Sequence, residues 1–334
     1  MKAPATKQAA RGGKPMSSTI HRRGFLQGAT ALSGLAASAF SSAMAQDGGK
    51  KSRSKLILLG TSAGSPPNPF RSACANLVVV DDTPYLIDCG VGTCRQIAMS
   101  GVPIANVRHI FITHHHSDHT ADYGNVLQLG AGAGRLGRVD AFGPPPLQQM
   151  TERFFDMIRP EMENRIKDGV RPYEKDIHVH EISTETVVHH DALVKVTSAL
   201  VEHLPTYPAF AYRFDTPDRS ITFSGDTGYC EAVAKLGKDT DILVHEVQHM
   251  TIMEEYLRKG GRNRDPGPFM KHMRETHTSP EDAGKIATMA NAKMLVFSHI
   301  GPQTNPPIPD AAFIDAARQT YSGPIVVASD LMAL

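Results

Sequence analysis

The chain has 334 residues, 41% hydrophobic and 21% charged, with 35 basic and 34 acidic side chains and a formal net charge of +1. That composition is ordinary for a soluble globular protein and supplies a sizeable core. It excludes a strongly basic nucleic-acid-coating protein and a largely disordered chain, while the length admits two average domains or one large αβ sandwich.

Residues 1–45 read as an address. Lys2, Lys7, Arg11, Lys14, Arg22 and Arg23 precede an Ala/Gly/Leu stretch at 24–40, followed by Ala43-Met44-Ala45, an A-x-A cleavage pattern. The run HRRGFLQGA resembles a bacterial twin-arginine signal, which implies the twin-arginine export machinery as a partner and a periplasmic or secreted product. The apolar stretch is short and diluted by small residues, so no stable membrane anchor is expected. Beyond residue 45 the chain carries 29 basic and 34 acidic residues, a net of −5, so no nucleic-acid partner is expected. Cys74, Cys89, Cys94 and Cys230 permit disulfides after export, whereas twin-arginine substrates resemble proteins that fold in a reducing cytoplasm; both states stay open. No C-x-x-C pair is present, which disfavours a zinc-cysteine site.

After a polar linker at 46–54, KLILLG reads as a first strand, TSAGSPPNPFRSA as a loop, and ANLVVV and PYLIDCG as two further strands. Residues 91–100 read as a helix, and VRHIFIT as the strand that leads to THHHSDHTAD. Residues 144–176 look like a helical insertion. Strands return at DIHVHEI, ETVVHH, ALVKVTSALVEH, AFAYRF and SITFSGD. A helix near 230–236, the strand DILVHEV, helices from Ile252 and Ser279, the strand KMLVF, and a final helix and strand complete the order. Ser279-Pro280-Glu281-Asp282 is a helix start, with an N-cap serine and proline in the first turn. Two runs of strands interleaved with helices predict two packed sheets covered by helices, a four-layer αββα sandwich of the α/β class.

In an extended strand alternate side chains share a face, so His114 and His116 project together and His115 points away; a turn then brings Asp118 and His119 back. The pattern His114-x-His116-x-Asp118-His119 suits two neighbouring metal ions, because imidazole and carboxylate are ligands that zinc accepts. His203, Asp226 and His299 each follow an apolar strand, the place where neighbouring strands can converge on one cleft.

These residues closely resemble the metallo-β-lactamase fold superfamily, within it the tRNase Z and arylsulfatase-like branch, from about Lys55 to the C-terminus, so 55–334 reads as a single hydrolase domain. The resemblance rests on LLGTSAGSPPN, RSACANLVV, YLIDCGVGTCRQ, THHHSDHTAD, VEH, FSGDTGY, LVHEVQHM, THTSPEDAGKIA and FSHIGP. It implies one metal on His114, His116 and His203, a second on Asp118, His119 and His299, and Asp226 bridging them. Zn2+ is the expected ion, and Mn2+ or Fe2+ also fit such donors. Two such cations about 3.5 to 4 Å apart lower the pKa of a shared water toward roughly 7, giving a metal-bound hydroxide that Asp118 orients.

Glu246 and His277 match a pair that donates a proton to the leaving group in the tRNase Z branch. A plainer reading makes Glu246 a hydrogen-bond partner of a ligand and His277 a surface residue. Tyr207 and Phe210 read either as an apolar wall beside the metals or as core. His245 reads as structural, and His178, His180, His189, His190, His249 and His272 as surface or strand-face residues.

The expected activity is hydrolysis of a small ester-like molecule: a sulfate ester, phosphodiester, carboxylic ester or lactone, with aryl substrates favoured. A tRNase Z-like phosphodiesterase, a hydrolytic dehalogenase and a non-catalytic periplasmic metal-binding protein are the alternatives. A homo-oligomer is compatible with the sequence.

Overall fold

The computed structural model describes residues 53–64, 66–259 and 266–334; the signal at 1–45 and most of the linker lie outside them. The first sheet holds β1 (Ser54–Gly60), β2 (Ala75–Val80), β3 (Thr83–Ile87), β4 (His109–Phe111), β5 (Val139–Gly143) and β6 (Ile177–Glu181), plus β14 (Met332–Ala333) beside β1. The second holds β7 (Thr186–His190), β8 (Lys195–Val201), β9 (Ala209–Asp215), β10 (Ser220–Phe223), β11 (Ile242–Gln248), β12 (Leu295–Gly301) and β13 (Ile325–Val327). Each sheet opens with antiparallel pairs and continues in parallel, from β3 to β6 in one and from β10 to β13 in the other.

Buried strands carry apolar residues on both faces. On β1, Leu56 and Leu58 enter the core between the sheets, while Ile57 and Leu59 face a helical layer. That outer layer contains α1 (Thr93–Ser100), α3 (Tyr123–Gly132) and α4 (Leu147–Lys167), which contribute Ile97, Leu127, Phe155 and Met162; the short α2 (Ser117–Thr120) belongs to the site. Residues 144–176 are therefore no appendage, since α4 covers the sheet. Over the second sheet lie α5 (Glu231–Leu236), α8 (Pro280–Met289) and α9 (Asp310–Arg318), where Val233, Ile286 and Phe313 meet Leu243, Leu295 and Phe297. Two further helices, α6 (Met250–Lys259) and α7 (Gly267–Thr276), pack through Met253, Met270 and Met273. These are the four layers expected.

Several elements depart from the sequence reading: β5 and α3 are not predicted by pattern, α2 stands where only a turn is expected, α7 is a helix of its own, and β14 follows β13 where one final strand is expected. Gly124 shows why α3 is hidden: a Cβ there would run into the Phe154 ring, so close packing is obtained with a poor helix former. The four cysteines are free thiols, Cys74, Cys89 and Cys230 buried and Cys94 partly so.

Candidate metal centre

The putting-together of the site follows from chain direction: β3, β4, β8, β10 and β12 all deliver side chains at or just past one end of the sandwich. His114 follows β4; α2 then turns the chain so that Asp118 and His119 come back to the same place. Gly90 permits this turn, because a Cβ there would collide with the Asp118 carbonyl oxygen. His203 follows β8 and Asp226 follows β10. His299 lies within β12 at a break in register, where Glu246 pairs with Ser298 and Val247 with Ile300, and its φ is 47°. A bulge of this kind re-aims one side chain at the expense of local strain.

The seven side chains predicted as ligands fall into two adjoining sets. His114 Nε2 lies 3.0 Å from His116 Nδ1, which lies 3.1 Å from His203 Nε2; the carboxylate Oδ2 of Asp226 is 3.8 and 3.9 Å from His114 Nε2 and His203 Nε2. In the second set Asp118 Oδ2 is 3.2 Å from His299 Nε2 and 3.8 Å from His119 Nε2, while Asp226 reaches those nitrogens at 3.2 and 3.3 Å. Donors around a tetrahedral zinc at about 2.05 Å stand roughly 3.3 Å apart, and both sets approximate that spacing. Asp226 is common to the two.

His114, His116, His119 and His203 are each held by a hydrogen bond from behind. Thr113 Oγ1 lies 3.0 Å from His114 Nδ1, Thr206 Oγ1 lies 2.8 Å from His116 Nε2, and the Thr276 carbonyl accepts from His203 Nδ1 at 2.9 Å. Asp88 Oδ2 accepts from His119 Nδ1 at 2.8 Å, and the same carboxylate accepts from the backbone and hydroxyl of Thr113. Glu246 lies 3.7 Å behind His299 Nδ1. The hydrogen bonds behind His114, His116, His119 and His203 leave the other nitrogen of each ring aimed at the common centre, the arrangement that fixes tautomer and orientation in metal sites; His299 Nδ1 has no hydrogen-bond partner. His119 Nε2 and Asp226 Oδ1 are buried and have no hydrogen-bond partner. Groups of this kind are costly when bare; a divalent cation satisfies both, so the residues fit the ion.

Burial, reinforced by neighbouring imidazoles, lowers the pKa of His114 and His116, and burial lowers that of His203, favouring the neutral form that ligates. At His119 and His299 burial is again the largest influence and acts downward, but the surrounding acidic groups together outweigh it, Asp226 with Asp88 at His119 and Asp226 with Asp118 and Glu246 at His299, and their pKa values rise. Burial pushes Asp226 and Asp118 up, yet the surrounding imidazoles hold both below the ordinary carboxylate range.

Glu246 accepts from His277 Nδ1 at 2.9 Å and from the Thr227 backbone at 2.7 Å. His277, at the end of α7, borders the open cavity beside the centre, so both halves of the predicted pair reach the site. His245 stays buried and bonds the adjacent Glu246 carbonyl, while His115 turns away to the Pro144 carbonyl.

That cavity, about 680 Å³, also touches His116, Asp118, Asp226 and His299. Its apolar lining is Phe70, Pro66, Pro67, Pro69, Met253, Tyr256, Phe269 and Met273, and its polar lining includes Asn68, Gln248, Gln303, Thr304 and Asn305. The expected wall of Tyr207 and Phe210 is not found. Phe210 is fully buried between the sheets, and Tyr207 is 62% exposed beside Tyr229 in a separate depression. Asp88 is absent from the predicted set, although it follows the apolar end of β3 as His114 follows β4 and His203 follows β8. The wall helices carry no comparable signal.

The family described as Beta-lactamase superfamily domain matches residues 83–300. Ribonuclease Z of Mycobacterium bovis (strain BCG) is 30% identical over 284 residues, covering 83% of this chain and 96% of its own. Among solved structures, YhfI of Bacillus subtilis, a metallo-beta-lactamase fold protein, superposes with TM-score 0.62 at 16% identity, covering 85% of this chain and all of that one. Human tRNase Z, short form, superposes with TM-score 0.61 at 20% identity, covering 84% and 98%. Relatives named as ribonucleases conflict mildly with the expectation that this chain has no nucleic-acid partner. The chain belongs to the beta-lactamase superfamily, a metallo-hydrolase of that fold with ribonuclease Z relatives.

Proposed function

We propose that this protein is a dinuclear metal-dependent hydrolase, with zinc as its resident ion, acting on a small ester whose leaving group is apolar. The observation that carries this reading is the cavity. The donor sets open into a space walled by Met253, Tyr256, Phe269, Met273 and Phe70 together with uncharged polar side chains such as Asn68, Gln248 and Gln303, and among the described residues no Lys or Arg lines it. A polyanionic substrate is gripped through basic side chains, whereas an aryl or alkyl group gains from burial against such a wall at about 25 cal/mol per Å².

His114, His116 and His203 would hold one cation, Asp118, His119 and His299 the other, and Asp226 both. Once bound, the cations supply the positive charge that acidifies water and steadies the attacking and departing oxygens. Asp118, on the cavity surface, orients the water by accepting its hydrogen bond. Glu246 holds His277 at Nδ1; burial acts to lower the His277 pKa, but the charge and hydrogen bond of Glu246 together with the charge of Asp226 raise it, so the imidazolium persists to deliver a proton to the leaving oxygen.

Hydrolysis of an RNA phosphodiester is the second reading, favoured by the ribonuclease Z relatives. Turnover of p-nitrophenyl sulfate, p-nitrophenyl acetate, bis-p-nitrophenyl phosphate and a precursor tRNA, before and after chelation, separates them. Chelator-sensitive turnover of a small aryl ester is expected, lost in His116→Ala with the far-UV spectrum unchanged. Cleavage of the tRNA alone overturns the preferred reading, and bound metal without turnover of any substrate overturns both.

The basic residues, apolar stretch and Ala43-Met44-Ala45 of 1–45 support export to the periplasm or beyond, ahead of one hydrolase domain at 55–334. Cell fractionation of the full chain, with Arg22→Lys/Arg23→Lys as the control, tests this.

A further inference from the structure

We infer a second, separate metal site at the other end of the seam between the sheets, where His109, His189 and Asp191 form a two-imidazole, one-carboxylate set for a divalent transition-metal cation. One ligand atom from each of the three lies within 4.8 Å of the others. His109 opens β4, five residues before His114, so the two sites are about 16 Å apart along the chain at strand spacing. His109 belongs to the first sheet, while His189 lies on β7 of the second and Asp191 just after it.

The set is preorganised. The His109 ring stacks on Tyr85, centroids 5.0 Å apart, and stands 4.8 Å from the His189 ring. Asp191 Oδ2 lies 2.9 Å from His189 Nε2 and accepts from the Tyr85 hydroxyl at 2.7 Å. Its other oxygen accepts from the backbone of Leu193 and Val194, which fixes the carboxylate. Asp140, opposite His109 on β5, is engaged by Arg138 and His180 and stays outside the set.

Two observations point to a ligand rather than a closed hydrogen-bond network. His109 Nδ1 is buried and has no hydrogen-bond partner, whereas buried polar atoms are ordinarily satisfied. The side chains of His189 and Asp191 are 12% and 30% exposed, so a hydrated ion can reach them. Burial and the neighbouring His189 keep His109 neutral, the form that ligates. Imidazole with carboxylate suits Zn2+ and its neighbours in the transition series and not Mg2+ or Ca2+, which favour all-oxygen sites. The bound ion would tie β4 to the start of the β7–β8 turn, a cross-link between sheets with no part in hydrolysis.

The test uses the full chain, stripped with chelator, re-equilibrated with Zn2+ and assayed for metal by elemental analysis. His109→Phe, which keeps an aromatic ring on Tyr85, and Asp191→Asn, which keeps the backbone acceptor, should each bind one equivalent of Zn2+ fewer than the wild type. Both should hydrolyse substrate at the wild-type rate and lose part of the rise in Tm that Zn2+ gives. Folded variants with wild-type stoichiometry overturn the site. Should neither variant fold, anomalous scattering from wild-type crystals soaked in Zn2+ decides: a peak among the three side chains supports the site, and ordered side chains without one overturn it.

Discussion

Asp88 holds more of the centre than any residue outside the ligand sets. It anchors His119 and caps Thr113, which in turn backs His114, so one carboxylate orients a ring in each half. Its own backbone is left-handed, φ 60°, a conformation kept where the surroundings require it. Asp88→Asn should therefore weaken metal binding by about 10- to 100-fold with little change in fold, as read by competitive titration against a chromophoric chelator. The Glu246–His277 pair makes a separate forecast. A raised His277 pKa means that a step needing the imidazolium runs below that pKa and fades as pH climbs through it. Glu246→Gln removes the raising charge, so the alkaline limb of kcat/KM should move to lower pH; an unmoved limb refutes the proton-donor role. Replacing His277 with Ala should slow esters of poor leaving groups by about 100- to 10,000-fold and spare p-nitrophenyl esters. The seven side chains that the structure brings together were legible in sequence because each belongs to a short polar motif at or close after an apolar run. Asp88 obeyed the same rule but stood alone among apolar and glycine neighbours, with no second polar group to mark it.

Among the elements, the bulge in β12 and the turn of α2 show how regular structure is interrupted where chemistry is needed: one re-aims His299, the other returns Asp118 and His119 to the strand end they have just left. The helix start at α8 behaved as its residues demand, the Ser279 hydroxyl oxygen accepting from the Asp282 backbone at 3.2 Å. Ser279→Ala should lower stability by about 1 kcal/mol, seen as a shift of the urea midpoint at unchanged slope. Strands with continuous apolar runs were readable for the reason that both their faces are buried. Elsewhere local preference and tertiary demand diverge. α3 carries Gly124, Gly130 and Gly132, which argue against a helix, and the substrate-side wall draws on two helices whose methionines look from sequence like any amphipathic face. Phe269→Ala should accordingly raise KM for aryl esters several-fold and leave that for methyl esters unaltered, measured by steady-state kinetics.

For the molecule as a whole, the order of layers was legible because each sheet is written as one continuous half of the sequence. The chain passes from β6 to β7 across 182–185, and returns only at its end, where the Leu334 backbone bonds Leu56. The donor sets straddle that passage: His114, His116, Asp118 and His119 belong to one half, His203, Asp226 and His299 to the other. A nick between Ile182 and Glu185 would thus leave neither fragment with a complete coordination sphere. Mixed together, the fragments should recombine in the presence of Zn2+ and drift apart on chelation, which makes the ion a clasp whose grip can be followed by size-exclusion chromatography.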